Sequence, residues 1–203
     1  AIKPQVLAKV LKELAGKIDC DILLVTIVAG ARIDAIRSGL GTRAVVRIMP
    51  NTPGQIGEGI SVWTATPDVS PSQMKQARGI VGALGEQVYL EDEDYLDMAT
   101  ALSGSGPAYV FYFVEALIDA GVRMGFSRAV ASKLVLQTVR GSAIFAQKTE
   151  QHPAVLRNMV TSPGGTTAAG LHELDRGGFR ATVSQAVWAA YQKARYLGGL
   201  DRE

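Results

Sequence analysis

Thr161-Ser162-Pro163-Gly164-Gly165-Thr166-Thr167 packs three kinds of anion-holding group into one turn ahead of an expected helix. Gly164 and Gly165 let ligand atoms approach the backbone closely, and the N–H groups of the first helical turn have no intrahelical acceptors. The helix macrodipole adds partial positive charge there, and the hydroxyls of Ser162, Thr166 and Thr167 add further donors. The same residue types also build an ordinary capped turn between two helices, so the segment alone supports either reading. A phosphoryl site of the G-x-x-x-x-G-K-[ST] kind is not written here, because no lysine follows Gly164-Gly165-Thr166-Thr167.

A second polar loop, Met49-Pro50-Asn51-Thr52-Pro53, follows the apolar run Ala44-Val45-Val46-Arg47-Ile48-Met49. Open α/β sheets bind ligands at the carboxyl ends of their strands, and two prolines would stiffen such a loop. Gly39-Leu40-Gly41-Thr42-Arg43-Ala44 formally fits G-x-G-x-x-A but follows a helical stretch and precedes a strand, the reverse of what pyrophosphate binding requires. Gly104-Ser105-Gly106-Pro107 reads as a helix start, with Ser105 as cap and Pro107 in the first turn.

The chain has 203 residues, 47% hydrophobic and 20% charged, the make-up of an ordinary soluble globular protein. A formal net charge of +2 without a Lys/Arg run gives no reason to expect nucleic acid or an anionic membrane as partner. Cys20 is the only cysteine, which excludes an internal disulfide and fits a reducing compartment, the cytoplasm. With His152 and His172 the only histidines, no metal site is expected. No apolar run reaches the ~18 residues of a membrane span. The opening Ala1-Ile2-Lys3-Pro4 does not read as an initiator region or signal peptide, and looks like a cut.

Periodicity predicts the elements that carry these loops. Val6, Leu7, Val10, Leu11 and Leu14 mark a helix over 4–16, followed by a buried strand over 22–28, a short helix over 32–38 stopped by Gly39, and strands over 44–49 and 60–65. Pro71 opens a helix through Leu84 with Gly85 as its stop, and 87–90 gives a further strand. This alternation predicts an α/β portion, a partial Rossmann fold with a mostly parallel sheet, over 1–93. From 94 onward the strand signal vanishes, and helices are expected at 94–102, 106–124, 127–148, 153–160, 166–175 and 179–197, with breaks at Gly104, Gly125, Pro163 and Gly177-Gly178. Residues 94–203 thus read as an all-α domain. Its helices 106–124 and 127–148 are apolar on several faces, which suits either a bundle core or an interface with a second subunit.

Taken in order, Ile2-Lys3-Pro4-Gln5, Val28-Ala29-Gly30, Arg47 to Pro53, Leu102-Ser103-Gly104-Ser105-Gly106-Pro107-Ala108-Tyr109 and the Ser162–Thr167 loop closely resemble pyrroline-5-carboxylate reductase over the whole chain. The resemblance implies hydride transfer from NADPH or NADH to the C=N carbon of 1-pyrroline-5-carboxylate, giving L-proline, in a homodimer or higher homo-oligomer. It implies Ser162, Gly164, Gly165, Thr166, Thr167 and Glu150 as substrate-binding residues, Thr167 being the catalytic partner of the ring nitrogen. Glu150 is equally readable as a solvated helix-end charge. Around the nicotinamide and ribose it implies Ile2, Lys3, Ala29, Met49, Pro50, Asn51 and Thr52. The family begins with a strand, a G-x-G-x-x-G turn and a helix, and these are expected upstream of Ala1. A non-catalytic dimerisation and substrate-domain piece is the alternative reading.

Overall fold

In the computed structural model the described residues are Ile2, 4–19 and 21–200; Lys3 and Cys20, both named above, lie outside them. Four strands form one sheet: β1 (Leu24–Thr26), β2 (Val45–Met49), β3 (Gly59–Ala65) and β4 (Gly85–Tyr89), in the order β1-β2-β3-β4. β1 pairs parallel to β2, with Thr26 opposite Arg47, and β3 pairs parallel to β4. The sheet is mostly parallel as expected, with one exception: β2 and β3 are antiparallel, with Met49 opposite Val62. The connection from Met49 to Gly59, which includes a 3₁₀ turn at Thr52–Ile56, is too short for the crossover of a dozen or more residues that a parallel partner needs.

Side chains alternate along β2. Val46 and Ile48 face a cluster with Trp63, Ala77 and Val81, built on α3 (Pro71–Gly82). Val45 faces Val28, Ile33, Ile36 and Leu40, against α2 (Ile33–Leu40) and α1 (Leu7–Leu14). Further along this face Met49 packs with Val62, Leu96 and Ala99, against α4 (Asp94–Ala99). The sheet is therefore a middle layer between helices.

Three of the expected helix signals fall elsewhere. α2 continues through Gly39 and closes at Gly41, whose N–H donates to the Arg37 carbonyl at 2.8 Å. Gly39 instead faces the Leu11 side chain of α1, where a Cβ would come within 3.1 Å. Gly85 does not stop α3, which ends at Gly82, but opens β4. Gly104 and Ser105 do not break and cap a helix: α4 runs into a π turn, Thr100–Gly104, and then into α5 (Gly106–Arg123). The Ser105 N–H and hydroxyl both donate to the Thr100 carbonyl, at 2.8 and 3.0 Å, so that hydroxyl is spent on the preceding turn rather than on the N-terminus of α5.

The remaining elements are α6 (Arg128–Thr149), α7 (Pro153–Met159), α8 (Thr166–Arg176) and α9 (Phe179–Leu197), close to the expected bounds. The chain forms two compact units, residues 1–107 with 186–203, and residues 108–185. The first unit thus takes in α4, the π turn and the end of α9 as well as the sheet. In the second, Gly121 of α5 brings that helix against Ala131 of α6, where a Cβ would sit 3.0 Å from the alanine methyl. Among the described residues no helix is long and apolar enough to cross a membrane.

Candidate active-site loops

In the second unit, α7 ends at Met159 and the Thr161 hydroxyl folds back to donate to the Arg157 carbonyl at 2.6 Å. The chain then turns at Ser162-Pro163-Gly164-Gly165, closed by Gly165 N–H donating to Ser162 O at 3.0 Å. Proline at the second position and φ = 69° at Gly164 in the third are the signature of a type II turn, which a side chain at Gly164 would strain. Gly165 precedes the first residue of α8, and its carbonyl accepts the Ala169 N–H at 3.1 Å.

No side chain caps α8. Elsewhere the chain does cap with serine: Ser70 takes the Gln73 N–H at 3.3 Å ahead of α3, and Ser127 takes the Val130 N–H at 3.3 Å ahead of α6. At Ser162–Thr167 the N-cap position is held by Gly165 instead, without a serine or threonine hydroxyl on the helix start. The N–H groups of Thr166 and Thr167, in the first turn of α8, take no side-chain cap. The Ser162 hydroxyl lies 2.5 Å from where a Cβ on Gly165 would stand, so a side chain there would displace it. Ser162, Gly164, Thr166 and Thr167 are exposed. The donors there are all uncharged, the kind of set with which a helix start can receive an anion.

Glu150 follows α6 in the left-handed conformation, φ = 52°, the one non-glycine with positive φ among the described residues, with its N–H donating to Ala146 O at 3.1 Å. It is exposed. A residue in this region without the shape of glycine or asparagine stores strain, a recurrent property of functional positions.

In the first unit, β1 and β2 run parallel and deliver two loops to the same edge of the sheet. After β1, Ala31 N–H donates to Val28 O at 3.1 Å and closes a turn with Ala29 and Gly30 at its centre. Gly30 has φ = 73°, and a Cβ on it would stand 2.9 Å from that of Leu197, so the end of α9 backs this turn. Ile2 lines an apolar hollow with Thr26, Ile27 and Val28 of the same strand end. After β2, Asn51 caps the 3₁₀ turn; its Oδ1 accepts the Ile60 N–H at 3.0 Å and its carbonyl accepts Gly54 N–H at 3.0 Å. That side-chain oxygen is thus committed to holding the loop on β3, and the amide NH₂ is what Asn51 has to offer a ligand. With the Thr52 hydroxyl it makes a neutral hydrogen-bonding rim after β2. Met49 reaches across the sheet face to the π turn, where a Cβ on Gly104 would come within 2.8 Å of its terminal methyl.

The sequence reading missed an ionic cluster directly beneath these two loops. Arg47, 2% exposed, donates to Glu93 Oε1 at 2.7 Å and to Asp97 Oδ1 at 2.8 Å. Glu93 Oε1 also accepts Ile33 N–H at 2.8 Å, and Arg32 reaches Glu93 at 3.5 Å and Asp94 more closely. Desolvation works to lower the Arg32 pKa, but the hydrogen bond that Arg32 donates to Asp94 and the charges of Glu93, Asp94 and Asp97 leave it raised, so the cation is secured. The signal that was available is Arg47 itself, a charge in the middle of a buried strand, which demands buried partners.

A family model described as pyrroline-5-carboxylate reductase dimerisation matches residues 93–197. The pyrroline-5-carboxylate reductase of Synechocystis sp. is 46% identical over 198 residues, 98% of this chain and 73% of the relative. That of Arabidopsis thaliana is 43% identical over 197 residues, 97% of this chain and 71% of the relative. Among solved structures, Plasmodium falciparum pyrroline carboxylate reductase with NADP bound superposes with a TM-score of 0.92 at 38% identity, covering 98% of this chain and 75% of that one.

Proposed function

The chain belongs to the pyrroline-5-carboxylate reductase family and performs NAD(P)H-dependent reduction of 1-pyrroline-5-carboxylate to L-proline, and we propose that the loops described above carry it. It works as a homo-oligomer through its helical part. By role, residues 1–93 serve the cofactor and residues 94–203 serve substrate binding and dimerisation. We place the enzyme in the cytoplasm, where a chain with Cys20 as its one cysteine needs no oxidising compartment.

The observation that carries the assignment of roles is the uncapped start of α8 behind the Ser162–Gly165 turn. The N–H groups of Thr166 and Thr167 and the Ser162 hydroxyl hold the substrate carboxylate, which fixes the plane of the five-membered ring; Gly165, expected to donate its N–H as well, spends it on Ser162 O and contributes close approach instead. The Thr167 hydroxyl hydrogen-bonds the ring nitrogen, which carries the proton that makes the imine carbon electrophilic and keeps it as the amine forms. Glu150, held at the end of α6, faces the substrate as a carboxylate that favours this protonated nitrogen. In the first unit, Ala29, the Met49–Thr52 loop, Ile2 and Lys3 receive the nicotinamide and its ribose, with Asn51 and Thr52 as donors and Met49 and Pro50 as apolar walls. The reduced nicotinamide, when bound, supplies the hydride.

Thr167→Ala tests the catalytic assignment. The side chain is exposed and makes no contact that holds the fold, so the melting temperature should stay where it is. Turnover of 1-pyrroline-5-carboxylate, followed as NADPH consumption, should fall by about 1 to 3 kcal/mol in transition-state stabilisation, roughly 5- to 150-fold in kcat/KM. Unchanged kinetics would remove Thr167 from the reaction.

A further inference from the structure

We propose that Glu93 and Arg47 are positioning residues for the nicotinamide dinucleotide, acting through the two loops that receive it. The proposal rests on the reading that the Val28–Ala31 turn and the Met49–Thr52 loop form the cofactor seat. Glu93 is where three elements converge. It accepts the first helical N–H of α2, at Ile33, 2.8 Å away, and so fixes the segment immediately following the Ala29-Gly30 turn. It accepts Arg47 of β2 at 2.7 Å, two residues before Met49 and on the same face of the strand. It stands at the start of α4, whose continuation, the π turn, meets the Met49 side chain at Gly104.

Asp97 completes the clamp by taking the other arm of the Arg47 guanidinium at 2.8 Å. Charge-assisted contacts of this length, with Arg47 and Asp97 almost wholly buried, hold direction as well as distance. Neither Glu93 nor Arg47 needs to touch the ligand for this. They set the relative height of two loops that leave adjacent parallel strands at the same edge, and a bound dinucleotide must bridge both. A misplacement of about 1 Å there forfeits much of what alignment contributes.

The test uses Glu93→Gln, which keeps the side-chain size and one acceptor for Ile33 N–H but removes the charge that orders Arg47 and Arg32. Two readouts other than turnover apply. Hydrogen exchange in the cofactor-free protein should quicken at Ala31, Gly54 and Ile60, whose N–H groups close the two loops, while amides of α3 and β4 keep their protection. Titration with NADP⁺ should show a Kd raised about tenfold, with the Kd for proline unchanged. Should Glu93→Gln fail to fold, Arg47→Lys keeps the charge but cannot reach Glu93 and Asp97 together, and the same pattern is expected at smaller amplitude. Unchanged exchange at Gly54 and Ile60, or faster exchange spread equally over α3 and β4, overturns the proposal, the latter by making the cluster merely structural. An unmutated protein that does not bind NADP⁺ would refute the cofactor seat itself, and with it this proposal, whereas normal binding by the wild type and by Glu93→Gln alike refutes this proposal alone.

Discussion

Leu117→Asp or Leu134→Asp is expected to convert the protein from an oligomer to a monomer, or to an aggregate, at micromolar concentration. α5 is 18 residues long and buries only Val114 and Gly121 within the single chain, and α6 is 22 residues long and buries only Ala131. Phe111 is 60% exposed, Leu134 50% and Phe145 50%. Apolar surface of this extent on neighbouring helices is what a monomer avoids and what an obligate interface uses. A carboxylate placed in such an interface loses its hydration with no cation to meet it, at a cost of several kcal/mol per subunit. Association should weaken by roughly a thousandfold, about 4 kcal/mol. Sedimentation velocity reads the outcome directly. A variant that still sediments as the wild-type oligomer would put the interface on other helices.

Arg47→Ala should be among the most destabilising single changes in the first unit, by about 3 to 5 kcal/mol, because it leaves Glu93 and the buried Asp97 with only the more distant Arg32 as cation. Asp97 is 1% exposed and its Oδ2 already lacks a hydrogen-bond donor, the nearest cation being Arg32 at 3.7 Å. The ion pair itself contributes much less than this loss, since desolvating the charges offsets most of their attraction. The triple variant Arg47→Met, Glu93→Gln, Asp97→Leu should therefore recover most of the stability, although not the loop order. Thermal unfolding of the single and triple variants separates the two effects. For a chain of this size the single variant should melt roughly 6 to 20 °C lower. A single variant as stable as wild type would contradict the buried geometry described for Arg47.

The helical half was legible because its signals are local. Proline opens α7, as it opens α3 in the sheet-bearing part, Gly165 precedes α8, and the 3.6-residue repeat carries α5 and α6 between their ends. Strand positions were legible for the same reason, but strand direction was not: an apolar run such as Ile60 to Ala65 reads alike both ways. The cue that would have made β3 antiparallel to β2 was the shortness of the Pro50–Glu58 connection. The Ser162–Gly165 turn and the start of α8 were readable because the proline, the glycines and the helix start are consecutive. The clamp under the cofactor seat was not, since Arg47 and its partners lie 46 and 50 residues apart and only the fold brings them together. The left-handed turn at Glu150 carries no local signal either, lying in Thr149-Glu150-Gln151 with no glycine to mark it.

The central claim is that the Ser162–Thr167 loop holds the carboxylate of a five-membered imino acid at the start of α8. An amide-resolved NMR titration with proline, repeated with pyrrolidine, which has the same ring and nitrogen but no carboxylate, tests it most directly. Proline should shift the amides of Gly165, Thr166 and Thr167 in a saturable manner, and pyrrolidine at the same concentrations should leave them in place. Equal shifts from both compounds, or proline shifts confined to residues outside this loop, would contradict it.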